Sequence, residues 1–148
     1  MDKPVIRTPR PTEIEALIKI WQDGNIRAHS FICPDYWLNN IGHMRLTLPK
    51  AKVFVCEVNG DIAGFVGLDG NCIAGLFVDS RYQSQGIGTS LIEFIKQRHF
   101  TLTLAVYKKN EKALQFYRKH GFVVTEERID TKTNEAELLM RWNRASLI

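Results

Sequence analysis

Cysteine is scarce in this chain. Only Cys33, Cys56 and Cys72 occur among 148 residues, an odd number with no close pair. That pattern argues against a disulfide framework or a zinc site, so no metal is expected and buried free thiols are the default. Long apolar runs are also missing: nothing approaches the about 20 residues that a membrane span needs. The N-terminus lacks a charged region followed by a secretory apolar core, so the expectation is a cytoplasmic protein that does not engage a membrane. Repeats, low-complexity tracts and linker-like stretches are absent as well. What remains, 45% hydrophobic and 24% charged residues, is ordinary globular composition. A chain of this length suits one domain, residues 1–148, able to bury about two thirds of its unfolded surface.

Charge is unevenly placed. Residues 1–74 hold eight Lys/Arg and eight Asp/Glu, whereas residues 75–148 hold twelve and eight, so the net charge of +4 arises in the second half. Arg81, Lys108, Lys109 and Lys112 stand around the segments described next, and their summed field would attract a polyanion. Nucleic acid is the competing account of a basic chain, but no long basic run or aromatic-rich binding motif accompanies these residues.

An apolar run ending Leu76, Phe77, Val78 meets Gln83, Ser84, Gln85, Gly86, Ile87, Gly88, Thr89 and then a helical pattern. Glycines at Gly86 and Gly88 let the backbone approach a ligand, and the unpaired N–H groups of a helix start face anything negative. The first turn has no acid to complement that dipole end; Glu93 is the first, while Lys96 and Arg98 suit the last turn. Two phosphate motifs are excluded. No lysine follows Gly88, as a Walker loop requires, and Leu91 stands where a dinucleotide fingerprint has its third glycine. The residues alone leave a plain tight turn and a phosphorylated cofactor held by backbone amides as alternatives.

A second segment follows the strand-like run Leu102 to Val106. Asn110 reads as an N-cap, Glu111 suits the first turn, Arg118 and Lys119 the last, and Gly121 supplies a left-handed cap. Ala113, Leu114 and Tyr117 share a face of this helix.

These two segments, in this order and each after a strand, resemble the GNAT superfamily of N-acetyltransferases. Gln83, Gly86 and Gly88 match its Arg/Gln-x-x-Gly-x-Gly/Ala signature, and Asn110, Ala113, Tyr117, Gly121 and Phe122 match its second. The resemblance implies an α/β (α+β) fold with a mixed, mostly antiparallel sheet of about seven strands flanked by about four helices. It implies acetyl-CoA as cosubstrate, bound by Leu76, Phe77, Val78, Gln83 to Thr89, Asn110, Phe116 and Tyr117. The acceptor would be a primary amine: a protein lysine, an N-terminal amine or a small amine, attacking directly in a ternary complex. A monomer and a homodimer are equally compatible.

Acetyl transfer needs a neutral amine, oxyanion stabilisation and a proton for the departing thiolate. By resemblance the backbone N–H of Val78 serves the oxyanion and Tyr117 donates the proton, since a phenol stays protonated near neutrality. Tyr117 also suits simple core packing, and Asn110 simple capping. No carboxylate lies between Asn71 and Val78, and Ala105 stands where many protein-acetylating relatives have Glu. His29 is the candidate base, through water, because an imidazole titrates near neutrality and the resemblance places the loop between the first two helices beside the acceptor; a packing role is the alternative. Phe31, Tyr36 and Trp37 would shape the acceptor pocket or pack a helix, and Glu126, Glu127 and Glu135 would attract a cationic acceptor or remain solvated. A CoA-binding module without turnover and an RNA-directed acetylating toxin stand as other functions.

The remaining pattern is consistent with this order of elements. Thr12 to Glu15 reads as a capping box before Ile14, Leu17, Ile18 and Trp21. A loop is expected from Gly24 to Pro34, then one helix through Trp37, Ile41, Met44 and Leu48. Strands are expected at Val53 to Val58, Ile62 to Leu68, Cys72 to Val78, Val123 to Ile129 and Leu138 to Trp142, with a hairpin at Asn59-Gly60.

Overall fold

The computed structural model describes residues 3–145. Strands β1 (Val5–Arg7), β2 (Lys52–Val58), β3 (Asp61–Asp69), β4 (Cys72–Val78), β5 (Thr101–Tyr107), β6 (Val123–Asp130) and β7 (Glu135–Asn143) form one sheet, ordered β1-β2-β3-β4-β5-β7-β6. Every neighbouring pair is antiparallel except β4 with β5. The hairpin expected at Asn59-Gly60 is present, with positive φ at both residues, 53° and 83°. That is the backbone twist that lets a two-residue turn join right-twisted strands.

Alternation along β2 and β3 separates two cores. Val53, Val55 and Phe65 face helices α1 (Ile14–Ala28), α2 (Pro34–Leu38) and α3 (Ile41–Thr47), while Cys56, Val66 and Leu68 face α4 (Ile87–Lys96) and α5 (Glu111–Lys119). Residues 63–68 of β3 are buried without a break, as expected for a strand covered on both faces. No described helix is long and apolar enough to cross a membrane.

Three local expectations are corrected. The loop begins later than Gly24, because α1 runs through that glycine to Ala28. A Cβ at Gly24 would lie 3.2 Å from the Phe77 ring, so the glycine permits close helix–strand packing and does not end the helix. The second helix is two, α2 and α3, separated at Asn39 and Asn40; the Asn40 amide donates to the Tyr36 carbonyl, the kind of side-chain bond that competes with helix continuation. Thr12 does not cap α1 through its side chain. It lies in a 3₁₀ turn, Pro11–Glu13, and the Glu13 carboxylate instead accepts the Arg10 backbone N–H at 2.7 Å.

Glu13 is also held by Arg7 of β1, whose guanidinium donates to both its oxygens at 2.8 Å and reaches Glu57 of β2 at 2.8 Å. These bonds pull the Glu13 carboxyl from its ordinary 4.5 to about 2, against the opposing effect of burial. A depressed folded-state pKa contributes stability that is present above about pH 4.5 and is lost as pH falls toward 2. Discounted for partial exposure, the contribution is about 1 to 2 kcal/mol. Urea denaturation of Glu13→Gln should show that loss at pH 7 and a flatter decline of stability between pH 5 and 2. A variant parallel to wild type across that range would remove Glu13 from the account.

Candidate active site

The parallel pairing of β4 with β5 lasts for two residues, Cys72 with Thr103 and Ile73 with Leu104. The cause is visible in β4. Its register with β3 slips between Ile73 and Gly75, so Ala74 is an extra residue that bends the strand away. Beyond it Leu76, Phe77 and Val78 are only half-buried, and Ala105, in the middle of an interior strand, is exposed. The two strands therefore bound an open wedge.

Backbone polarity inside the wedge follows from register. The Asp79 N–H donates to the Ala63 carbonyl at 2.8 Å, and antiparallel residues alternate between the two strand edges. The N–H groups of Val78 and Leu76 accordingly point away from β3, toward the edge that β5 has left. On that same edge the Val78 carbonyl accepts the Gln83 side-chain amide at 2.8 Å.

The helix start after β4 has the expected form. Ser84 and Gly86 adopt positive φ, 61° and 82°, and Gly86 is the N-cap of α4. The first turn contains no acid, and Gln83 to Gly86 are exposed. The unpaired N–H groups of a first helical turn thus face solvent with no carboxylate to complement them. Gly88 is close-packed: a Cβ there would lie 3.1 Å from the Phe116 ring and 3.7 Å from Leu76. Leu76, Gly88 and Phe116, from β4, α4 and α5, therefore meet. Thr89 Oγ1 lies 3.2 Å from His120 Nε2, a contact that the sequence did not signal.

Helix α5 is capped by Asn110, whose Oδ1 accepts the Ala113 N–H at 3.2 Å. Tyr117 is buried between Phe116 and Phe122, with ring centroids at 5.3 Å and 5.6 Å. Burial pushes its pKa above the ordinary phenol value. His29 is not beside Tyr117. It closes α1, and its ring stacks on Trp37 at 5.3 Å and meets Tyr107 edge-on at 5.0 Å. Its Nε2 lies 3.2 Å from the Asn110 amide nitrogen.

Phe31, Trp37 and Tyr107 form an aromatic group around His29, and Tyr36 packs edge-on against Trp37. Tyr107 was not singled out in the sequence, and its hydroxyl donates to Asp130 at 2.6 Å. Burial opposes ionisation of Asp130, but the bonds from Tyr107 and the Lys132 N–H prevail and lower its pKa. The expected charge field is largely internal. Lys108 pairs with Glu127 at 3.1 Å, Lys109 with Glu135 at 3.0 Å and Arg81 with Asp79 at 3.1 Å. Two of the three glutamates expected to attract a cation are therefore already engaged.

The family model for the acetyltransferase (GNAT) domain matches residues 49–124. The chain is 32% identical over 140 residues to the peptidyl-lysine N-acetyltransferase YiaC of Escherichia coli strain K12, covering 93% of this chain and 96% of that protein. Its fold is similar to the solution structure of apo-form YjaB from Escherichia coli, with a TM-score of 0.85, 29% identity, and coverage of 95% of this chain and 97% of that one. It also resembles the PaiA N-acetyltransferase of Thermoplasma acidophilum in complex with coenzyme A, with a TM-score of 0.73 and 19% identity, covering 97% and 100%.

Gly64 of β3 fixes how closely the wedge and the start of α4 approach the sheet. A Cβ there would lie 2.6 Å from the Phe77 carbonyl oxygen and 3.1 Å from Ile87, whereas a Cβ at Gly67 meets nothing within 4 Å. Gly64→Ala should destabilise the protein by about 1 to 3 kcal/mol, and Gly67→Ala should be neutral or slightly stabilising. Chemical denaturation of the pair checks this; equal effects would show that the contact at Gly64 relaxes freely.

Proposed function

Because the chain belongs to the GNAT family of acetyltransferases, we propose that it moves the acetyl group of acetyl-CoA onto a lysine side chain of a protein acceptor, by direct attack in a ternary complex. The observation that carries the reading is the wedge, with the N–H groups of Val78 and Leu76 turned into it and the α4 start beyond its end. Residues 1–148 would act as one such domain. The N–H groups of α4's first turn, after Gly86, would hold the pyrophosphate. Leu76, Phe116 and Asn110 would line the path of the pantetheine arm.

In the reaction the acceptor nitrogen attacks the thioester carbonyl, the carbon–sulfur bond breaks, and the thiolate departs while the amine proton passes to water. The Val78 N–H would stabilise the oxyanion without reorganising. Among the described residues nothing hydrogen-bonds the Tyr117 hydroxyl, which leaves it free for the sulfur. With its pKa raised by burial, Tyr117 is a better hydrogen-bond donor to the thiolate than a net proton source, since thiols ionise near about 8.5.

Three observations favour lysine as acceptor. YiaC, a relative over nearly the whole chain, is a peptidyl-lysine acetyltransferase. The aromatic group of Phe31, Tyr36, Trp37 and Tyr107 suits an apolar stem carrying an ammonium. The chain's own Lys109 already places its ammonium 5.4 Å from the centre of the Phe31 ring. A free lysine amine has a pKa of about 10.4, so presenting it as the neutral nucleophile at pH 7 costs about 4 to 5 kcal/mol.

Incubation with acetyl-CoA and lysine-bearing peptides should release free thiol and add acetyl to side-chain amines, read by mass spectrometry. Acetylation confined to peptide N-termini would overturn the choice of acceptor. Gly86→Val, with a β-branched residue at φ 82°, should fold yet weaken CoA binding at least tenfold in calorimetric titration; unchanged affinity would remove the proposed phosphate site. Tyr117→Phe should keep acetyl-CoA affinity while slowing turnover by about 100-fold to 1,000-fold, the loss typical of a single stabilising donor. Full turnover would make Tyr117 a packing residue.

A further inference from the structure

The contact between His29 and Asn110 has a determined direction. Asn110 Oδ1 accepts the Ala113 N–H, so the nitrogen of that amide is the atom facing His29. An amide nitrogen can only donate. His29 Nε2 must therefore present its lone pair, and the neutral ring carries its proton on Nδ1. Nδ1 is fully buried and has no hydrogen-bond partner among the described residues. The ring is thus held by its aromatic neighbours, by the side-chain bond to Asn110 and by the nearby Asn25 backbone, and its accessible lone pair is already used.

Protonation of Nε2 would set two donors against each other. Relief requires the Asn110 amide to turn over, and its nitrogen would then face the Ala113 N–H, which ends the cap of α5. A cationic His29 therefore works against the cap of α5. Helix α5 carries Phe116 and Tyr117, so the N-cap bears on the proposed site. The surrounding charged groups do not substitute for this coupling. On the β5–α5 turn Lys109 is paired with Glu135 of β7, on β6 Asp130 accepts from Tyr107 of β5, and on α2 Tyr36 lies behind Trp37. Burial of the imidazole among these rings disfavours its cation in the same direction and outweighs the opposing effect of the Asn25 backbone.

We infer that His29 is a positioning residue: its Nε2 lone pair holds Asn110 in the rotamer that caps α5, and its protonation releases that cap. The group acts through Asn110 and not by taking a proton from the acceptor. The kinetic consequence rests on the acetyl-transfer reading; the titration and tautomer do not.

Nitrogen-15 NMR of the imidazole in the wild-type protein tests the direction of the bond. The expected result is the Nδ1–H tautomer, the less favoured form of free histidine, titrating below the ordinary value of about 6.5. Asn110→Asp supplies the second arm. Aspartate also caps helices, but it offers only acceptors to His29, so the His29 titration should move upward past the ordinary value. An Nε2–H tautomer in the wild type, or a titration indifferent to Asn110→Asp, would overturn the inference whatever the enzyme acetylates. For turnover, His29→Ala should remove the acid limb of the pH–rate profile and lower its neutral plateau by less than about tenfold. Loss of a general base costs about 100-fold or more at that plateau, and such a loss would return His29 to proton abstraction.

Discussion

The structure depends on one interrupted strand pairing. Had β4 and β5 stayed in register along their lengths, the sheet would have no gap in its middle and the amides of Leu76 and Val78 would be spent on the ladder. The extra residue Ala74 prevents this at the cost of a few ladder bonds. Everything placed around the gap depends on it: α4 follows β4 after a 3₁₀ turn and a short loop, and α5 follows β5 after a short turn. Both helices thereby begin at the same end of the sheet, where the strands have moved apart.

Several small residues bring the walls of this gap into position. Gly24 lets α1 lie against Phe77 from one face, Gly64 lets the end of β4 approach β3, and Gly88 lets α4 contact Phe116. Each replaces side-chain volume with proximity. In a helix interior, glycine at position 24 is intrinsically unfavourable by about 1 kcal/mol relative to alanine, so its presence marks a contact and not a break.

That distinction explains which features were legible in the sequence. The strand order, the hairpin at Asn59-Gly60, the cap at Asn110 and the left-handed Gly121 each depend on a few neighbouring residues, and each could be read. Gly24 was misread because a helix-ending glycine and a close-packing glycine look alike without the partner strand. The Glu13 carboxylate replaced Thr12 as the organiser of the first turn because Arg7 and Glu57 hold it, and Glu57 is far away in sequence. The contacts of Asn110 with His29, Thr89 with His120 and Tyr107 with Asp130 span 81, 31 and 23 residues. No local pattern encodes such pairs, so the residue types could be nominated but not their partners.

The turned-out amides of β4 also have a dynamic meaning. A backbone N–H without a ladder partner exchanges its hydrogen with solvent far more readily than its paired neighbours. Along one strand, Leu76 and Val78 should behave as surface amides while Phe77 and Asp79, bonded to β3, behave as core. The alternation places the least protected backbone of an interior strand beside the most protected, and any molecule that fills the gap will be recorded there as a loss of that contrast.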